Sequence, residues 1–511
     1  MIQRDGNSAS LWQTSNDDYN SLHYGVQGKL YDVIIVGGGI TGLSSALLLQ
    51  KAGKNCLVLE ASNLGFGTTS GTTAHLNTLL DTPYPTIARN FSKEDSALVA
   101  TAAREAINMV KQNIHDNHIE CGFTDTDAYL FSASAKQDKE LDEIVEATRE
   151  AGVTIEFTET IPGCFPFIRA VRIPDQAKFK PIKYLHGIAK AFESAGGAIM
   201  QHCHVSHVTD GEPVEVQTSS GKFLAKDLIY ATHIPPGINL LHLRCAAWRS
   251  YAIAVKLVGQ SYPDSLIYDM KDPYYYYRSQ VVGGELYLIA GGEDHKTGNA
   301  ENTDQCFTKL EANTRKYYKV KEVTHRWSSQ YFEPADGLPY IGQLPGHSSH
   351  IMTATGFGGN GMIYSAVSAM VFRDLLTGVE SPYSKLFSPS RVKPIAGFTN
   401  FVTHNADVVK SFASRLLPAE KMAELSGLAT GEGKIVTYNR EKLGIYKDPT
   451  GNIHAVVPTC THMKCGVKWN AAEISWDCPC HGARYSYEGK VITGPAVQDL
   501  EKINIEELIS K

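Results

Sequence analysis

Between Cys460 and His481 the chain places four cysteines and two histidines. They read Cys460-Thr-His462-Met-Lys-Cys465 and, thirteen residues after Cys465, Cys478-Pro-Cys480-His481-Gly482. Two Cys-plus-His clusters, spaced C-x-H and C-x-x-H, suit a two-iron, two-sulfide centre in which two imidazoles replace two thiolates on one iron. Neutral imidazoles carry less charge than thiolates, so such a centre is easier to reduce than an all-cysteine one. A zinc site is the alternative; it needs only four ligands from the six candidates, and one pair here is C-x-H rather than C-x-x-C.

The run CTHMKC followed by CPCHGARY resembles the Rieske iron–sulfur domain, in the form seen in cytochrome bc-type complexes. The resemblance implies that Cys460 and Cys478 hold one iron, and His462 and His481 the other. It also implies a Cys465–Cys480 disulfide tying the two ligand loops, and a Tyr485 hydroxyl donating to a ligand sulfur. By the same likeness, His462 and His481 would lie at an exposed tip and form the exit port for electrons. One position departs: Ala483 stands where high-potential members carry serine. The missing hydroxyl removes a donor to the cluster, so a lower potential is expected.

At 511 residues the chain is long for one domain, and about 150 residues per domain suggests about three. Hydrophobic content of 43% and charged content of 20% describe a globular protein with ample core, and a net charge of −6 argues against nucleic acid or an anionic membrane as partner. Cys56, Cys121, Cys164, Cys203, Cys245 and Cys306 are scattered without spacing, as expected of reduced core residues in a cytoplasmic protein. The opening MIQRDGNSASLWQTS has no apolar core of a signal peptide. The apolar run Val33–Leu49 is short for a membrane span and is interrupted by glycines and serines, so no span is expected.

That run is better explained by the motif within it. Tyr31–Val36 is a continuous β-branched run, the pattern of a strand buried on both faces. Gly37-Gly-Gly39-Ile40-Thr41-Gly42 follows, then a helix to about Ala52 and a second strand, Asn55–Leu59, ending at Glu60. In this βαβ context Gly37 permits a tight turn, Gly39 lets backbone approach a pyrophosphate, and Gly42 lets helix and strand pack closely. The helix N-terminus offers unpaired N–H groups to the diphosphate, and Glu60 offers its carboxylate to ribose hydroxyls. The fingerprint alone does not separate FAD from NAD.

Further motifs do. Gly65-Phe-Gly67-Thr68-Thr69-Ser70-Gly71, Tyr230-Ala231-Thr232, and Asp336-Gly-Leu-Pro-Tyr-Ile-Gly342 running into Ala354-Thr-Gly356-Phe-Gly358-Gly359-Asn360-Gly361 resemble FAD-dependent oxidoreductases of the D-amino-acid oxidase and glycine oxidase type. The likeness spans 31 to about 380. It implies an α/β, Rossmann-like FAD-binding domain with an α+β substrate domain, followed by an all-β Rieske domain. The last glycine-rich turn would close on the flavin, after a strand (Ile351–Ala354) and before a helix (Met362–Leu376). Gly378, Pro382 and Pro389 follow it, which is loop chemistry and leaves no separate nicotinamide domain. The organisation expected is an arm over 1–30, an oxidoreductase over 31–385 with substrate-binding stretches near 85–180 and 245–325, a linker over 386–427 and the Rieske domain over 428–511. The linker pattern predicts an amphipathic helix with Val408, Val409, Phe412 and Leu416 on one stripe and a second helical stretch ending near Gly427, which would dock the Rieske domain firmly.

Substrate chemistry is less sharply written. Strand alternation puts Tyr274 and Tyr276 on one face and Tyr275 and Tyr277 on the other; one face suits an amine through cation–π contact, and sheet packing is the alternative. His75 lies in a stretch similar to one where relatives such as dimethylglycine dehydrogenase attach FAD covalently, although Leu76-Asn77 replaces the usual Ala-Gly. Amino-acid oxidases of this kind place an arginine shortly before Asp-Gly-Leu-Pro to grip the substrate carboxylate. Here Gln330–Ala335 has none; Glu333 could attract a cation, with a solvated or hydrogen-bonded loop carboxylate as the default, and Arg278 or Arg326 could replace the missing group from another direction. The reading is an FAD-dependent oxidoreductase that takes hydride from a carbon next to nitrogen of a small amine or amino-acid-like substrate. Electrons would pass through the cluster to an external acceptor, such as a protein. The alternative is a reductase component fed by a redox partner. No obligatory acid–base residue is assigned.

Overall fold

The computed structural model describes residues 4–259, 261–300, 302–391, 420–421, 428–438 and 441–504. The linker helix expected around Val408–Leu416 and the stretch ending near Gly427 lie outside the described residues.

Leu30–Val36 forms the strand that the β-branched run predicts, and Val33, Ile34 and Ile35 are fully buried. It is central in an eight-stranded sheet among the described residues. Parallel neighbours run in the order Ile351–Thr355, Gly221–Tyr230, Leu30–Val36, Cys56–Leu59 and Ala198–Met200. The chain leaves Leu30–Val36 toward one side and returns on the other, which opens a crevice beyond the carboxyl ends of Val36 and Tyr230. Helices Ile40–Lys51 and Gly361–Thr377 pack against each other, and both bury most of their residues, as helices between layers do.

A second, nine-stranded sheet runs in the order Val320–Pro334, Cys245–Leu257, Glu285–Lys296, Tyr276–Val282, Leu266–Asp269, Thr124–Ser132, Arg169–Lys178 and His75–Leu76, with Glu156–Thr158 beside Arg169–Lys178. Among the described residues the C-terminal module has two small, mainly antiparallel sheets. One includes Gly433–Tyr438, Glu441–Lys447 and Ile453–Val456; the other is Lys468–Asn470, Ser475–Asp477, Arg484–Ser486 and Val491–Thr493.

Buried charge joins the module to the rest. The Arg484 side chain, fully buried, lies 3.2 Å from Asp477 and 3.7 Å from Asp5, while Arg249 lies 3.7 Å from Glu473 and 3.9 Å from Asp477. The N-terminal arm is thus a structural wedge rather than a loose tail: Trp12 is buried and donates from Nε1 to the Thr72 carbonyl at 2.6 Å. Gln330 Nε2 donates to the Gly482 carbonyl at 2.9 Å, next to the second ligand loop. These contacts hold the module against the rest of the described chain. Among the scattered cysteines, Cys164 is exposed and the other five are buried, which corrects the expectation that all six are core residues.

Candidate functional site

One cavity of about 570 Å³ occupies the crevice at the sheet's carboxyl edge. Gly37, Gly39, Ile40, Thr41, Glu60, Gly67, Thr68, Thr69, His75, Ala231, Thr232, Gly358, Gly359, Asn360 and Gly361 line it, so most of the residues singled out in the sequence converge. Gly42, Ser70 and Gly356 do not line it. A Cβ at Gly42 would fall 1.9 Å from the Gly37 carbonyl oxygen, so Gly42 serves helix–strand packing. Ser70 Oγ donates to the Gly67 carbonyl, and Gly356 (φ 75°) turns the chain over Cys245 and Pro334. Gly37 (φ 113°) tolerates no side chain either, because its Cβ would meet the Ala231 carbonyl oxygen at 2.5 Å.

The cavity fits a dinucleotide. A Cβ at Gly67 or Gly361 would meet nothing within 4 Å, which leaves bare backbone facing open space. Thr69 Oγ1 accepts from Ile40 N–H at 3.1 Å and braces the first helical turn. Glu60 accepts from Gly38 N–H at 2.7 Å and Ser62 N–H at 2.8 Å, and burial raises its pKa. The carboxylate is therefore held in position with lone pairs to spare for a ribose.

Beyond the nucleotide turns, the wall becomes aromatic and acidic. Tyr274 and Tyr276 line the cavity, while Tyr277 is buried in a separate apolar cluster with Phe165 and Tyr275 donates to Glu293. Both sequence readings of the tyrosine run therefore hold, one for each face. Asp81 accepts from Gly359 N–H at 2.6 Å and from Tyr274 OH at 3.2 Å. Asp294 accepts from Tyr331 OH at 2.9 Å. Burial raises the pKa of Asp81, and that of Asp294 to about 7. His75 also lines the wall, its Nδ1 2.6 Å from Tyr268 OH and its buried Nε2 unpartnered; burial holds its pKa well below the usual value.

Three groups weighed from the sequence as substrate contacts do not line the cavity. Arg278 is buried and spends its guanidinium on the carbonyls of Thr73, Ala74 and Phe179; Arg326 pairs with Glu311 at 2.6 Å on an exposed edge. Neither lines the cavity, and nor does Glu333. Asp81 and Asp294, unmarked by any motif, line it beside the tyrosines, in addition to Glu60 and Asp5.

In the C-terminal module, Cys465 and Cys480 are joined in a disulfide. The sulfurs of Cys465, Cys478 and Cys480 lie within 4.8 Å of one another, but the bridge removes two of them as metal ligands. Four ligand-capable groups remain: Cys460, Cys478, His462 and His481. Their chemistry fits a two-iron cluster with mixed ligation. Cys460 and Cys478 are buried and interact directly, lowering the pKa of Cys460 and raising that of Cys478. The two histidine rings lie 5.1 Å apart, and burial keeps both imidazoles neutral, with His481 pushed down to about 3. Nδ1 of His462 and both ring nitrogens of His481 have no partner, although all three are buried. Tyr485 OH is 3.2 Å from Cys460 Sγ, as the sequence likeness implied.

The histidines are not an exposed tip. His481 is buried, and His462 Nε2 donates to the Gly237 carbonyl at 3.0 Å while its ring packs 4.7 Å from that of His242. Ala231–Ile234 and Pro236, just before Gly237, line the cavity. The module also adds to that wall directly through Val491–Gly494, Ala496 and Val497. Sequence reading had no signal for this, since nothing local marks which loop a distant domain will cover.

Comparison with known proteins agrees with this architecture. The family described as FAD dependent oxidoreductase matches residues 32–375, and the Rieske [2Fe-2S] domain matches 419–504. YhfW of Bacillus subtilis (strain 168), named as a Rieske 2Fe-2S iron–sulfur protein, is 32% identical over 502 residues, covering 97% of this chain and 98% of its own. Gamma-glutamylputrescine oxidoreductase of Escherichia coli (strain K12) is 23% identical, covering 68% of this chain and 84% of its own. In fold, glycine oxidase from Geobacillus kaustophilus superposes with a TM-score of 0.59 at 18% identity, over 71% of this chain and 99% of that one.

Proposed function

This chain belongs to the FAD dependent oxidoreductase family and ends in a Rieske [2Fe-2S] domain, and on that premise we propose that it dehydrogenates a small amine and passes the electrons through the cluster to an external acceptor. Its cofactors are FAD and a 2Fe-2S cluster. Bound FAD supplies a two-electron acceptor for a C–H bond next to nitrogen, and the cluster a one-electron carrier.

The observation that carries the proposal is the continuity between the two centres. The segment that lines the cavity through Pro236 reaches His462 at its next residue, Gly237. Gly37, Gly39 and the N-terminus of the helix at Ile40 would hold the diphosphate, and Glu60 the ribose. Cys460, Cys478, His462 and His481 would hold the irons. Tyr485 would donate to a ligand sulfur. Tyr274, Tyr276 and Tyr331 supply the aromatic wall against which a substrate is aligned, and the module's own Val491–Val497 segment helps to exclude water. The scattered cysteines and the absence of an apolar signal core in the opening residues favour a cytoplasmic setting. Among the described residues, no helix is long and apolar enough to cross a membrane.

The decisive experiment is anaerobic mixing of holoprotein with a panel of amines and N-methyl amino acids and, separately, with NADH and NADPH. Flavin bleaching is followed optically and cluster reduction by EPR. Bleaching by an amine followed by the Rieske signal is expected. Bleaching by a nicotinamide alone would make the protein a reductase.

A further inference from the structure

We infer that the cavity is built for a cationic amine that carries no carboxylate, with Asp294 as the residue that seats the positive charge. The inference rests on the reading of this cavity as an amine-oxidising centre and narrows its substrate class.

Three observations support it. First, no lysine or arginine is among the cavity-lining residues, and Arg278 is turned away onto backbone carbonyls. Of the lining histidines, His75 and His233 are held neutral by burial. A substrate carboxylate would enter a wall bearing Asp81 and Asp294 with no fixed cation to offset it, and like charges in a desolvated site repel strongly. Second, Asp294 has an unsatisfied acceptor. Tyr331 occupies Oδ2, whereas Oδ1 is buried and has no partner. A buried carboxylate oxygen left unpaired is costly unless a donor or a charge arrives. Asp81 differs, because both its oxygens are already taken by Gly359 and Tyr274. Third, Tyr274, Tyr276 and Tyr331 line the same part of the cavity, and ring faces attract ammonium groups.

The placement of Asp294 comes from a bulge. Arg249 pairs with His295 and Tyr251 with Gly292, so Glu293 and Asp294 together oppose Ser250 alone. Upstream, Ile289 lies on the cavity side and Leu288 and Ala290 on the other. Unbroken alternation would turn Glu293 inward. The bulge, with Glu293 at φ 59°, presents Asp294 instead.

The test uses FAD-loaded protein in wild-type, Asp294→Asn and Asp294→Glu forms, with flavin content measured as a check on folding. Tetramethylammonium, whose quaternary nitrogen has no lone pair to support hydride loss from the adjacent carbon, reports binding through the flavin spectrum, and benzoate serves as the anionic counterpart. Butylamine and norvaline, which differ by one carboxylate, report flavin reduction. We expect tetramethylammonium to bind, Asp294→Asn to weaken it about tenfold or more, and Asp294→Glu to recover part of the loss. Butylamine should reduce the flavin faster than norvaline. Tighter binding of benzoate than of tetramethylammonium, or an unchanged dissociation constant in Asp294→Asn, overturns the inference. If tetramethylammonium binding depends on Asp294 but no amine bleaches the flavin, the cation site stands and the oxidation reading fails.

Discussion

His462 Nε2 donates to the carbonyl of Gly237 at 3.0 Å, so the histidine end of the iron–sulfur module is pressed onto the loop that walls the flavin cavity. The bond fixes the tautomer: Nδ1 is the nitrogen left with a lone pair for iron. It also sets the histidine end one residue beyond Pro236, which lines the cavity. On the proposed function, electrons would pass between the two centres within a docked structure, without any need for diffusional encounter.

Docking of this kind predicts insensitivity to salt. The contacts holding the module are buried, and mobile ions screen buried pairs poorly. In stopped-flow mixing, cluster reduction after flavin reduction should keep its rate between 0.05 and 1 M salt, to within about twofold. A steep slowing with salt would mean that the module leaves its dock during turnover.

The buried network of Arg249, Arg484, Asp5, Glu473 and Asp477 should be costly to break on one side. Asp477→Asn leaves two guanidinium groups short of a counter-charge, and a loss of about 3–5 kcal/mol in unfolding free energy is expected. Chemical denaturation of the holoprotein measures it. A loss under about 1 kcal/mol would show that water, rather than Asp477, carries the balance.

Two substitutions should move the cluster potential in opposite directions. Ala483 is fully buried beside the ligand loop, and Ala483→Ser restores a hydroxyl donor that favours the reduced, more negative cluster. Tyr485→Phe removes the donor 3.2 Å from Cys460 Sγ. A donor worth about 1.4 kcal/mol corresponds to about 59 mV for one electron. Redox titration monitored by EPR should show a rise of that order in the first variant and a fall in the second; no rise with Ala483→Ser would remove the missing hydroxyl as a cause of low potential.

Cation binding should depend on pH through Asp294. Burial raises its pKa to about 7, with the neighbouring Ser250 and Tyr331 hydroxyls opposing and the charges of Asp81 and Glu293 adding to the rise. Tyr274 and Tyr276 share its surroundings, and burial holds both phenols neutral well above this range. A raised carboxyl pKa means the charged form is lost as pH falls through 7. The affinity for tetramethylammonium, whose charge is permanent, should therefore rise between pH 6 and 8 and level off above. Asp294→Asn should abolish the slope, and a slope that survives would place the titrating group elsewhere.

Gly42→Ala should expel the flavin. Its Cβ would sit 1.9 Å from a backbone oxygen of the nucleotide-binding turn, and backbone cannot move aside as a side chain can. The flavin-to-protein ratio after purification should fall several-fold, while the cluster signal persists. A full complement of flavin would contradict the packing argument.

Much of this protein was legible along the chain because its signals are local. The βαβ turn at Gly37–Gly42 needs glycines where backbone approaches backbone, and the structure places both contacts within neighbouring segments. The Cys460–His481 spacing likewise names its ligand-capable groups, since the two loops adjoin through a fifteen-residue disulfide separation. Sequence alone determined the two cofactor-binding modules, their order and the faces of the tyrosine run. Only the tertiary structure decided which carboxylate meets the substrate, because a one-residue bulge opposite Ser250 reversed the alternation that would have chosen Glu293. It alone decided that Arg278 is unavailable and that His462 faces Gly237, because those outcomes depend on pairings across about 200 residues that leave no local pattern.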